Sequence, residues 1–173
     1  MMGIRSLKNL LGSDGSTLQE LRQLCIYTLS DEFTRLPSAI TTLQHLTSLQ
    51  VHARKLSSLP KELGALSRLR HLDLPDCSSL TRLPASLSEL SCLVDLEISS
   101  SSVRSLPPGL SQLRRLKSLN LRNCRQLVVL PDEIQDRLPM LDFLDTKGCG
   151  GPPHISELLL DLLLGNYVGD LIE

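Results

Sequence analysis

Tryptophan is absent, and two Tyr and two Phe are the only aromatic residues among 173. This removes the usual stacking platforms for single-stranded nucleic acid. The chain also lacks an excess of charge of one sign: 18 Lys and Arg face 19 Asp and Glu, for a formal net charge of −1. No bulk attraction to nucleic acid or to an anionic membrane follows. Long apolar runs are missing as well. The C-terminal LLLDLLLG is too short to span a bilayer and is interrupted by Asp161. The opening MMGIRSLKNLLG has no signal-peptide core, and Leu7 stands where a myristoylation signal read from Met2 needs Ser or Thr. No N-x-[ST] sequon points to a glycosylated ectodomain. With no C-x-x-C pair, no H-x-x-x-H pair and no phosphate loop, neither a metal nor a cofactor is expected. Five cysteines, an odd number, fit reduced thiols in a cytosolic setting.

What the chain has is leucine at a fixed phase. LRHLDLPDCSSLTRLP runs from Leu69 to Pro84, and LKSLNLRNCRQLVVLP from Leu116 to Pro131. Looser copies are LTSLQVHARKLSSLP from Leu46 and LVDLEISSSSVRSLP from Leu93. A distorted copy starts at Leu21 and a fragment, LDFLDTKGCG, at Leu141. The opening leucines are 23 to 25 residues apart, and the closing prolines (37, 60, 84, 107, 131) keep the same period. Period and pattern resemble the leucine-rich repeat family over roughly residues 17–150. The resemblance implies an α/β solenoid: a curved horseshoe with a parallel β-sheet on the concave face and short helical turns on the convex face.

The spacing has a physical reason. In L-x-L both leucines point to one side of a strand, so Leu72 and Leu74 face inward and Asp73 outward. One coil cannot bury that face alone, so neighbours must stack. Cys77, Cys124 and Cys149 share one phase and are expected as buried ladder residues touching backbone; Arg54 and Ser101 hold that phase in the shorter copies. Segments such as PKELGALSRL, with apolar residues three or four apart, predict short helical turns. The expected organisation within one domain is an N-terminal helical cap over 1–20, five to six repeats over 21–150, and a C-terminal helical cap over 151–173.

Binding along the concave face is the expected use of such a surface. Its outward positions supply the candidate residues Tyr27, Gln50, His52, His71, Asp73, Asp95, Glu97, Asn120, Arg122, Phe143, Asp145 and Lys147. Asp73, Asp95 and Glu97 form an acidic centre whose mutual repulsion a partner's Lys or Arg would relieve, while Arg122 and Lys147 make a basic margin. Tyr27 and Phe143 are candidate aromatic anchors. A thiol–imidazole–carboxylate set of Cys149, His154 and Asp145 is the one catalytic arrangement to test, and the ladder role of Cys149 argues against it.

The repeat residues Leu69, Leu72, Leu74, Cys77, Leu80, Leu83 and Pro84 look like those of plant nucleotide-binding immune receptors. They also look like the repeat domains of effectors that plant-pathogenic bacteria deliver into host cells. Arg outnumbers Lys by 13 to 5, which leans towards the bacterial setting. The expectation is a non-catalytic recognition module for a protein partner, favoured as a host protein with a basic patch. It has no nucleic acid ligand and no membrane span, and is monomeric or weakly self-associating. It is expected in the cytoplasm, or in a host cell reached without a signal peptide. The rivals are the recognition half of a ubiquitin-ligase effector and an intracellular scaffold with no part in infection.

Overall fold

The computed structural model describes residues 18–128 and 138–150. Six strands form one parallel sheet in sequence order: β1 Gln23–Thr28, β2 Ser48–Ala53, β3 His71–Asp73, β4 Asp95–Glu97, β5 Ser118–Asn120 and β6 Phe143–Asp145. Each step to the next strand is one repeat, so the register aligns like with like. Leu24, Leu49, Leu72, Leu96, Leu119 and Leu144 stand side by side across the sheet. The four central leucines of that row are buried.

On the opposite side the chain makes 3-10 turns at Ser38–Thr42, Leu63–Ala65, Ala85–Glu89 and Leu110–Gln112. Their apolar residues recur every third position: Ile40, Leu43, Leu46; Leu63, Leu66, Leu69; Leu87, Leu90, Leu93; Leu110, Leu113, Leu116. A strict three-residue period stacks side chains on a 3-10 helix, whereas an α-helix needs intervals of both three and four. The backbone obeys it. Leu66 N–H donates to Leu63 O and Leu69 N–H to Leu66 O, and the next coil repeats this at Leu90 and Leu93. The closing proline starts the first three turns: the carbonyls of Pro37, Pro60 and Pro84 accept the N–H groups of Ile40, Leu63 and Leu87, while in the fourth the Gly109 carbonyl accepts the Gln112 N–H. Successive turns pack on one another and enclose a single continuous core with the sheet.

The expected caps fall mainly on residues 1–17 and 151–173, outside the described residues. Residues 18–20 make a bend and turn, with the Leu21 N–H bonded to the Leu18 carbonyl. Leu18, Leu21, Leu24 and Ile26 at one end, and Leu138, Leu141, Leu144 and Cys149 at the other, are partly buried against the core.

Candidate functional site

The face of the sheet turned away from the core is built from two in-register rows and a third beside them. The first row is Gln23, Ser48, His71, Asp95, Ser118 and Phe143; the second is Cys25, Gln50, Asp73, Glu97, Asn120 and Asp145. Two residues further on, backbone bonds continue between coils, as in Asp76 N–H to Ser99 O and Ser100 N–H to Arg122 O. These carry a third row of Pro75, Ser99, Arg122 and Lys147 next to Tyr27 and His52. All twelve residues expected on the concave face therefore lie on it.

Contacts within the face are ordered by the repeat. Glu97 Oε1 accepts the Ser99 N–H at 3.0 Å, Asn120 Oδ1 the Arg122 N–H at 3.0 Å, and Asp145 Oδ1 the Lys147 N–H at 2.8 Å. In three successive coils the middle-row side chain thus ties down the backbone two residues on. In the coil before them the acceptor is Asp73, and two residues on stands Pro75, which has no N–H. No hydrogen bond or ion pair to the Asp73 carboxylate is found among the described residues.

The three acidic residues of the centre are therefore unequal. Asp95 Oδ2 lies 2.6 Å from His71 Nδ1, across one strand step. Glu97 is bound to the Asn120 amide as well as to Ser99. Asp73 has no such partner. Its carboxyl is pushed above the ordinary 3.8 by partial burial first and by Glu97 second, with Asp95 adding to the effect and His71 and His52 opposing it. Partial burial and neighbouring negative charge both disfavour the ionised form.

At the margins, Arg122 Nη1 reaches to 3.9 Å from Asp145 Oδ2, and Lys147 is exposed. Tyr27 is 67% exposed, its ring 5.7 Å from that of His52, and Phe143 is 50% exposed at the other end. Both candidate anchors are open to solvent among the described residues.

The ladder lies just behind this face. Cys77 Sγ donates to Val51 O at 3.4 Å, Cys124 Sγ to Ile98 O at 3.1 Å and Cys149 Sγ to Leu121 O at 3.1 Å. Ser101 is buried and its hydroxyl sits 3.3 Å from Cys124 Sγ. Arg54 departs from expectation: it is exposed, and no part of the ladder. The reason is local geometry. Asp76, Ser100, Asn123 and Gly148 all adopt positive φ, which turns the next residue inward to the ladder. Strand β2 instead stays extended through Ala53, so alternation buries Ala53 and turns Arg54 out.

The catalytic arrangement loses support at its thiol. Cys149 spends its S–H on a backbone carbonyl, and its pKa is pushed to about 11, above all by burial. A thiol held protonated is a poor nucleophile. His154 lies outside the described residues. Among the described residues, no group of three or more His, Cys, Asp or Glu is placed to hold a metal.

Repeat length, buried ladder and open parallel sheet define the class: the chain is a leucine-rich-repeat solenoid. The Leucine Rich Repeat family model matches residues 115–136. A protein of Arabidopsis thaliana assigned to disease resistance is 41% identical over 69 residues, which is 40% of this chain and 8% of that protein. Among solved structures, a plant ice-binding protein aligns with a TM-score of 0.58 and 26% identity, covering 74% of this chain and 42% of its own. The Arabidopsis receptor kinase HAESA, in complex with the peptide hormone IDA and the co-receptor SERK1, aligns with a TM-score of 0.57 and 23% identity, covering 79% and 24%. The chain spans less than half the length of each of these relatives.

Proposed function

We propose that this chain is a non-catalytic recognition module that binds a protein segment along its concave face. The observation that carries the reading is the Asp73 carboxylate: half-buried, flanked by Asp95 and Glu97, and left without a partner by Pro75. A Lys or Arg from a protein partner would relieve that repulsion. Tyr27 and Phe143 at the two ends would supply apolar anchors. The use of this fold in HAESA, whose complex holds a peptide hormone and a co-receptor, supports the reading through architecture alone.

Repeat-phase resemblance and the excess of Arg over Lys support the setting of a bacterial effector meeting a host protein. The 41% identical stretch of a plant disease resistance protein favours a second setting, recognition on the plant's own side of infection. Both settings use the same face. A pull-down from plant lysate tests the reading, comparing the intact chain with Asp73, Asp95 and Glu97 all changed to Ala, and circular dichroism confirming that both fold. Loss of one specific captured protein with the folded variant is expected. Equal capture by both would move the site away from the acidic centre.

A further inference from the structure

A second polar surface lies at the edge of the sheet where the strands begin. Arg22, Thr47 and Arg70 stand one residue before β1, β2 and β3, and His45, Arg68 and Cys92 three residues before β2, β3 and β4. Parallel register brings these repeat positions together, since neighbouring strands run about 4.8 Å apart. The six residues line a cleft of about 380 Å³.

The cleft presents hydrogen-bond donors. Its backbone acceptors are already used: Arg22 O accepts the N–H groups of Thr47 and Ser48, Thr47 O those of Arg70 and His71, and Arg70 O those of Val94 and Asp95. Arg68 Nη1 lies 3.1 Å from His45 Nδ1. A guanidinium can only donate, so Nδ1 accepts and the ring carries its proton on Nε2, adding one more donor. Arg22, Arg68 and Arg70 form no ion pair among the described residues, and neither does Glu20, which precedes His45 at the same repeat position.

We propose that this cleft binds a phosphate-monoester dianion. Planar guanidinium groups match phosphate oxygens two at a time, and three of them beside an imidazole donor make a multidentate receptor. The volume is at the small end of the range for small-molecule sites, which suits a phosphoryl group and its immediate attachment. The same chemistry arises from a soluble phosphorylated metabolite or from a phosphorylated side chain. This site is independent of the acidic concave centre.

The test is calorimetric titration of the 173-residue chain with glycerol 3-phosphate and, separately, with a short phosphoserine peptide and its unphosphorylated form. Arg22→Gln combined with Arg70→Gln should weaken binding of the preferred probe by about tenfold or more. Arg82→Gln combined with Arg104→Gln, an equal loss of charge elsewhere on the surface, should leave it unchanged. Tighter binding of glycerol 3-phosphate assigns a soluble ligand, and tighter binding of the phosphopeptide a modified protein; either supports the site. The proposal is overturned if neither probe binds below about 10 mM, if the unphosphorylated peptide binds as well, or if both charge-loss pairs weaken binding equally.

Discussion

Asp73 differs from its counterparts because of Pro75. Glu97, Asn120 and Asp145 each hold the N–H two residues on, and Asp73 has none to hold. Its raised pKa has a consequence for stability. The folded chain binds the Asp73 proton more tightly than the unfolded chain, so ionised Asp73 opposes folding. That cost is fully present above the folded pKa and fades as pH falls through it towards 3.8. Asp73→Asn should therefore stabilise the protein at pH 7, by up to about 1 kcal/mol given solvent screening at a half-exposed site. Thermal unfolding across pH should show the gain shrinking towards pH 4. A second prediction concerns the thiols. Iodoacetamide followed by mass spectrometry should modify exposed Cys25 and part-exposed Cys92 first, and buried Cys77 and Cys124 only on unfolding. Cys149, with its pKa near 11, should lag behind Cys25 at pH 8 despite partial exposure.

At the scale of the element, the coil is fixed by two periods meeting at each opening leucine. Leu69 ends a three-residue series from Leu63, and the strand that follows alternates at Leu72 and Leu74. Leu96 sits at the centre of the in-register leucine row and is 1% exposed. Leu96→Ala should cost about 2–5 kcal/mol in denaturant unfolding, since neither neighbouring coil is free to collapse into the void. Gly64 is required by close approach between turns. A Cβ there would lie 2.5 Å from the Ser86 carbonyl oxygen, in the next coil. Gly64→Ala should destabilise by about 1–3 kcal/mol. Sequence reading placed the strands, the inward leucines and the convex turns, because each has a period. It left three- and four-residue spacing undecided, and the i→i+3 bonds resolve it. It misplaced Arg54 because the period says nothing about where a strand ends; the positive-φ residues Asp76, Ser100, Asn123 and Gly148 decide that.

Across the whole molecule, repetition turns single positions into surfaces. The same register that aligns Leu49, Leu72, Leu96 and Leu119 in the core aligns His71 with Asp95 and Asp73 with Glu97 outside it. The concave rows were therefore legible once the phase was known. What the residues do within those rows was not. The alternation gives no sign that His71 engages Asp95, that Asn120 engages Glu97, or that Asp73, of the three acidic residues, has no hydrogen bond or ion pair among the described residues. The basic edge at Arg22, Arg68 and Arg70 escaped the sequence reading because those residues flank the repeat signature instead of forming part of it. The signal was the recurrence of cations at the two phases that flank the opening leucine.

The central claim is that the acidic concave centre recognises a protein, and its most direct test is an affinity measurement on the captured partner. The dissociation constant would be compared for the intact chain and for a chain carrying Asp73→Asn, Asp95→Asn and Glu97→Gln, at low and at high salt. These changes keep shape and remove charge. The account predicts at least about a tenfold loss of affinity at low salt, and a weaker salt dependence in the variant. An unchanged dissociation constant at both ionic strengths would contradict it.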